Sequence, residues 1–249
     1  MVQVWSSETY AENGRFVADL GMPVVDWLNP QAGERILDLG CGDGALTLKL
    51  QALGCEVVGV DSSPNLIHAA QTLGLDARLM DGQNLQFEAE FDAVLTNAAL
   101  HWMKQPDAVI QGVGKALKPG GRFVGEFGGR GNVLAIETAL QTALKQRGID
   151  AEPLNPWYFP TVEDYQSRLE AHGFSVNTIQ LIPRPTPLPT DLRGWLITFA
   201  NPFINAIESI DRDAFLTDVI AMLKPTLCDA SGQWTADYVR LRFSATRSD

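Results

Sequence analysis

Apolar residues recur along this chain with two periods, and the two periods alternate. From about Glu12 to Leu28, Phe16, Leu20, Val24, Val25 and Leu28 fall at helical spacing, and Gly21 and Pro23 divide the run into two short helices. After a turn at Pro30 and Gly33, Arg35-Ile36-Leu37-Asp38-Leu39 reads as a short buried strand. Leu46, Leu50 and Leu53 then lie on one helix face, and Gly54 ends that helix. The next unit repeats this grammar. Glu56 to Val60 is a valine-rich strand, Ser63 caps a helix that has Pro64 at its first position, and Leu66, Ala70 and Leu73 form its inward stripe. Ala77 to Met80 and Phe91 to Thr96 predict a third and a fourth strand. Pro106 to Leu117 predicts a helix, Pro119-Gly120-Gly121 a turn, and Arg122 to Phe127 a fifth strand. Strands that alternate with helices predict a parallel sheet covered on both faces.

The second half follows a different plan. A helix is expected from about Val133 to Arg147, and Thr161 with Asp164 resembles a capping box before a helix that ends near Gly173. Phe174 to Ile182 and Tyr238 to Thr246 alternate as strands. Between them lie a proline-rich bend (Pro183, Pro185, Pro187, Pro189) and an apolar helical stretch from about Leu192 to Leu223. This stretch is too short and too apolar to stand alone in water. The expectation is one domain over residues 1–249, with an N-terminal helical segment at 1–30 and a helical cap inserted at 190–228.

The formal net charge of −11 repels polyanions and anionic lipid, so nucleic acid and membrane surfaces are not expected partners. No apolar run reaches the roughly 18–20 residues of a membrane span, and Met1 to Tyr10 carries no basic-then-apolar leader pattern. Cys41, Cys55 and Cys228 form no C-x-x-C pair, and His68, His101 and His172 are far apart, so neither a metal site nor a disulfide framework is expected. These features suit a reduced, soluble, cytoplasmic protein, monomeric or homodimeric.

The stretch Asp38-Leu39-Gly40-Cys41-Gly42-Asp43-Gly44 links a strand to a helix. Glycines there let the backbone turn sharply and let a ligand approach main-chain N–H groups at a helix N-terminus. Gly40-x-Gly42-x-x-Ala45 also satisfies the dinucleotide fingerprint. Three acidic residues speak for a different ligand. Asp38 would repel a pyrophosphate but suits an ammonium group. Asp61, at the end of the second strand, can accept both hydroxyls of a ribose. Asp81-Gly82, after the third, sets an acceptor beside an adenine amino group. The ligand implied is a nucleoside joined to a cationic amino acid, without phosphates.

In order along the chain, ILDLGCGDG, VVGVDSSPNLI, DGQNL, FDAVLTNAALHWM and LKPGGRFVGEF resemble the class I S-adenosylmethionine-dependent methyltransferases, over about Gly33 to Phe127. Gly128-Gly129-Arg130-Gly131-Asn132, with Trp5 and Tyr10, looks like the trans-aconitate methyltransferase-like branch. The resemblance implies an α/β fold: a three-layer, doubly wound, mostly parallel seven-stranded sheet of order 3-2-1-4-5-7-6, its last strand antiparallel. It implies S-adenosylmethionine as cofactor. Asp38, Gly40, Cys41 and Gly42 would hold the methionine portion, and Asp61 the ribose. Ser62 and Leu66 would lie near the adenosine, Asp81, Gly82 and Gln83 around the adenine, and Asn97 and Ala98 on the methyl-bearing side.

The acceptor side is less sharply marked. His101, in Leu100-His101-Trp102, is the candidate catalytic group, either taking a proton or orienting a loop. Trp102 can pack on the cofactor or the acceptor or serve packing alone, and Tyr10 can close over a sulfonium or pack the N-terminal helix. Arg130 offers a partner for an acceptor carboxylate, and Trp157, Trp195 and Phe199 could wall an apolar pocket. The expected reaction is methyl transfer to a small-molecule acceptor, as O-methylation of a carboxylate or hydroxyl. Two alternatives are a catalytically silent S-adenosylmethionine-binding protein and an NAD-dependent oxidoreductase, and Asp38 argues against the latter.

Overall fold

Ile36, Leu37, Val57, Val58, Val94 and Leu95 are buried in pairs that face opposite ways, which requires a sheet covered on both sides. The computed structural model describes residues 20–248. Its seven-stranded sheet contains β1 (Arg35–Leu39), β2 (Glu56–Asp61), β3 (Asp76–Leu79), β4 (Phe91–Asn97), β5 (Leu117–Gly128), β6 (Phe174–Pro183) and β7 (Val239–Arg247). The spatial order is β3-β2-β1-β4-β5-β7-β6. β1 to β5 pair in parallel, and β7 runs antiparallel to β5 with Glu126 opposite Arg242. This is the order and the antiparallel ending that the family resemblance implied.

One face of the sheet presents Leu37, Leu39, Val58, Val60, Phe123 and Phe127 to Val109, Ile110 and Val113 of α4 (Pro106–Ala116) and to Tyr165 and Leu169 of α6 (Val162–Ala171). The other presents Ile36, Val57, Ala93, Leu95 and Val124 to α1 (Met22–Leu28) and α2 (Ala45–Ala52). A smaller cluster joins Cys41 and Ala77 to Ile67 and Ala70 of α3 (Pro64–Thr72). The predicted caps form: Ser63 Oγ accepts from Leu66 N–H, and Thr161 Oγ1 from Asp164 N–H. Pro23 lies at the start of α1, where its missing N–H costs nothing.

The turn expected at Pro119-Gly120-Gly121 forms as a bulge within β5: Phe91 of β4 faces Leu117 and Ala93 faces Arg122, so residues 118–121 loop out with Gly120 at φ +71°. The apolar helical stretch 192–223 is built of three helices, α7 (Leu192–Phe199), α8 (Asn201–Asn205) and α9 (Arg212–Leu227), with Pro202 in the first turn of α8. A short ribbon, Thr186–Pro187 paired with Thr235–Ala236, had no periodic signal because each strand is two residues long.

The chain divides into two compact units. One holds the sheet, made of Phe16–Arg130 (described from residue 20), Tyr158–Ile182 and the strand from Arg240. The other holds Gly131–Trp157 and Pro183–Val239, and so includes α5 (Leu134–Lys145) and α7 to α9. Among the described residues, no helix is long and apolar enough to cross a membrane, and no group of His, Cys, Asp and Glu could hold a metal ion.

Candidate cofactor and acceptor site

The carboxyl ends of β1 to β4 carry most of the predicted residues. After β1 the chain passes through Gly40, Gly42 and Gly44, with φ of +77°, +58° and +85°. The Gly40 and Cys41 N–H groups both donate to Val60 O, at 2.8 and 3.0 Å, which pins the loop against β2. A Cβ on Gly40 would lie 2.2 Å from Ala99 Cβ, whereas one on Gly42 would meet nothing within 4 Å. The first glycine therefore serves packing, and the second leaves free space beside the loop for a ligand.

Asp38 is buried, and its Oδ2 accepts from Thr47 Oγ1 at 2.7 Å. Burial pushes its carboxyl up to about 6; the Thr47 hydrogen bond opposes that, and the Asp61 charge adds to it. Asp61 spans the loop: Oδ2 accepts from Gly42 N–H at 3.1 Å, and Oδ1 from Ser63 N–H at 2.8 Å. Burial raises its pKa as well, against these backbone bonds. Asp81 Oδ1 accepts from Gln83 N–H at 2.9 Å. Gln83 Oε1 in turn accepts from Gln105 N–H at 3.0 Å, tying this loop to the start of α4. Gly82 is packed against Met103 and Leu39 so closely that a Cβ would clash with both. None of the three carboxylates pairs with a lysine or arginine among the described residues. Two carboxylates raised by desolvation, Asp38 buried and Asp61 half-buried, beside a glycine loop with free space at Gly42, favour a cationic ligand over a pyrophosphate. The residues present therefore fit a cationic amino-acid nucleoside.

Residues 37–125 match the methyltransferase domain family model. An uncharacterised methyltransferase of Schizosaccharomyces pombe is 40% identical, and the alignment spans 97% of both chains. The chain belongs to the class I S-adenosylmethionine-dependent methyltransferases. The ubiquinone biosynthesis O-methyltransferase of Xanthomonas oryzae is 36% identical over 100 residues, covering 37% of this chain and 42% of that one. Among solved structures, Haemonchus contortus phosphoethanolamine N-methyltransferase 2, seen with S-adenosylhomocysteine, matches in fold with a TM-score of 0.60 and 18% identity, over 93% of this chain and 53% of that one.

Among the methyltransferase residues predicted to face the acceptor, Asn97 ends β4, and Ala98 takes a left-handed conformation with φ +58°. The Ala98 N–H donates to Glu126 O at 2.7 Å. A short turn, Leu100–Trp102, follows. His101 is buried there, its ring 5.1 Å from that of Trp102 and 5.9 Å from that of Phe159. Its Nδ1 accepts from Gly128 N–H at 3.3 Å. Burial, and then the Arg240 charge, hold its pKa well below the ordinary range. Arg130 is exposed, and its backbone N–H donates to Pro160 O. Leu66 is buried in α3, and Ser62 is exposed just before it. In the other unit, Trp157, Trp195, Phe199 and Phe203 are buried against one another, with ring centroids 5.2–6.3 Å apart. Trp5 and Tyr10 lie outside the described residues.

Sequence reasoning missed three contributors, Thr47, Thr96 and Glu126. Thr47 holds Asp38, and Thr96 Oγ1 bonds Leu39 O at 2.8 Å, joining β4 to the end of β1. Glu126 is fully buried and ion-paired with Arg242, at 2.7 Å, and with Arg240, at 3.6 Å. A charged residue within an apolar strand was the available signal, but its partners lie more than a hundred residues away.

Proposed function

We propose that this methyltransferase transfers the methyl group of S-adenosylmethionine to an oxygen, carboxylate or hydroxyl, of a small-molecule acceptor. Asp38 takes the cofactor's ammonium group. The loop of Gly40, Cys41 and Gly42 packs along its methionine portion, and Asp61 takes the ribose hydroxyls. Ser62, Leu66, Asp81, Gly82 and Gln83 enclose the adenosine, while Asn97, Ala98, Trp102 and Tyr10 border the sulfonium. The observation that carries this reading is the pair of desolvated carboxylates, buried Asp38 and half-buried Asp61, beside a glycine loop with free space at Gly42.

The cofactor supplies an already activated methyl group. The chain's work is to hold the acceptor in line with it and to exclude water, and such orientation is worth roughly 7–11 kcal/mol. The O-methyltransferase among the relatives supports an oxygen acceptor. The net charge of −11 supports a free small molecule over a nucleic acid or a membrane lipid. Arg130, Trp157, Trp195 and Phe199 are our candidates for acceptor recognition. We read residues 1–249 as one methyltransferase domain, with 190–228 as its acceptor-specific insertion, acting in the cytoplasm as a monomer or homodimer.

A thermal-shift comparison tests the cofactor assignment. Ligand at a hundred times its Kd stabilises the folded state by about 2.7 kcal/mol. S-adenosylhomocysteine should raise the melting temperature, NAD should not, and Asp61→Ala should shrink the rise. A rise with NAD alone would overturn the assignment. Turnover against carboxylic acids and phenols then separates an enzyme from a silent binder.

A further inference from the structure

A threonine within a helix can turn its hydroxyl back on the carbonyl four residues earlier. Thr72, Thr138, Thr142, Thr198 and Thr217 all do so in this chain. Thr47, in the first turn of α2, does not. Its Oγ1 donates instead to Asp38 Oδ2 at 2.7 Å, and the two residues are only 1% and 2% exposed. Among the described residues, this hydroxyl is the one hydrogen-bond donor to the Asp38 carboxyl.

The surroundings leave no substitute for that bond. In the sheet, Asp38 is paired with Gly59 of β2 and Leu95 of β4, and neither has a side chain that can donate. A Cβ on Gly59 would lie 2.9 Å from Cys41 Sγ and 3.8 Å from Thr47 Oγ1, so the space beside this glycine is taken by the loop thiol and the helix hydroxyl. Burial, and then the Asp38 and Asp61 charges, push the Cys41 thiol up, so it stays neutral. Burial opposes ionisation of Asp38 most strongly, and the Asp61 charge from β2 opposes it as well. The Thr47 hydrogen bond works the other way. At a buried carboxylate a single donor counts for more than it would in water.

We propose that Thr47 is a positioning residue for cofactor binding: its hydroxyl holds the Asp38 carboxylate in place and in the ionised form that the cofactor's ammonium group requires. The inference rests on the assignment of Asp38 above, and it names the group on which that assignment depends. Without the hydroxyl, the carboxyl would keep its proton to higher pH, and a protonated Asp38 offers an ammonium group no counter-charge. The effect is therefore largest in mildly acidic solution. It fades at a pH where even an unaided carboxyl ionises. A role in packing alone would have no such dependence.

Two measurements on the full chain test this, in wild type and in Thr47→Val, Thr47→Ala and Thr47→Ser. The first needs no ligand. It follows the 13C resonance of the Asp38 carboxyl against pH, assigned by its loss in Asp38→Asn. The wild-type midpoint is expected at about 6. It should rise by about one unit or more in Thr47→Val and return close to wild type in Thr47→Ser, which keeps the hydroxyl. Thr47→Ala, smaller than valine, should rise as well and covers the case in which valine disturbs the packing. A midpoint unmoved in the variants without a hydroxyl would overturn the proposal. The second measurement is calorimetric titration with S-adenosylhomocysteine from about pH 5.5 to about pH 8. Thr47→Val should bind about tenfold more weakly than wild type at the acid end and within about threefold at the other, with Thr47→Ser following wild type. In Asp38→Asn, adding Thr47→Val should change affinity less than about twofold. A loss of equal size at every pH would show a packing role only and overturn the proposal. No binding by wild type at any pH would overturn the assignment of Asp38 to the ammonium group, and the carboxyl titration would still decide what Thr47 does to Asp38.

Discussion

Gly40 and Gly42 are two residues apart in one loop, and alanine at each should fail in a different way. Both have positive φ, +77° and +58°, so each alanine carries left-handed strain of about 1–2 kcal/mol. At Gly40 the new Cβ also lies 2.2 Å from Ala99 Cβ, in a segment held by Ala98 N–H to Glu126 O. Overpacking of that kind adds about 1–3 kcal/mol. Gly40→Ala should therefore lose roughly 2–5 kcal/mol in urea unfolding. At Gly42 nothing lies within 4 Å of the new Cβ, so the stability loss should stop at the strain. That Cβ instead enters the space we assign to the cofactor's methionine portion. Calorimetric titration with S-adenosylhomocysteine should show at least a tenfold weaker Kd, about 1.4 kcal/mol. Gly42→Ala binding with wild-type affinity would refute the ligand placement. Gly40→Ala as stable as Gly42→Ala would refute the packing argument.

The Asp38 carboxyl, pushed up to about 6, binds its proton more tightly in the folded chain than in the unfolded one, where 3.8 is the ordinary value. Its contribution to stability is thus fully present below about pH 4 and is lost as pH rises through about 6; the loss comes to about 3 kcal/mol. Without cofactor, Asp38→Asn should remove that decline and exceed wild type in urea midpoint at pH 8, while binding S-adenosylhomocysteine more weakly. Wild-type affinity for S-adenosylhomocysteine should rise with pH up to about 6 and then level off, because the ammonium needs the ionised carboxylate. A pH-independent affinity would count against the assignment. Glu126→Gln leaves buried Arg240 and half-buried Arg242 without their carboxylate and should cost about 3–5 kcal/mol in urea unfolding; a loss below about 1 kcal/mol would show that the pair is not a structural one.

The legible part of the site was its acidic ladder. Asp38, Asp61 and Asp81 each follow a short apolar run, and a parallel α/β sheet brings the ends of successive strands to one edge. Position in the chain therefore becomes position in space with little further information. The caps at Ser63 and Thr161 were legible for the same reason, since each bonds an N–H three residues away. His101 was visible as a polar residue after β4. Its tautomer was not, because Gly128 is 27 residues distant and its N–H is aimed by the β5 register. The turn at Pro119–Gly121 was legible, but the pairing of Leu117 with Phe91 on its near side was not, because β4 supplies that partner from 26 residues away.

By itself, then, the sequence determined what neighbours decide among themselves: which segments are helix or strand, where glycine permits a left-handed turn, and which acidic residue closes each strand. Only the tertiary structure decided the states of buried polar groups. Asp38 is raised by desolvation although Thr47 bonds it, Glu126 is held by two arginines from β7, and His101 is locked by one amide of β5. The physical reason is range. Backbone preference acts over a few residues, but the energy of a buried charge depends on which groups replace its water, and distant segments supply them.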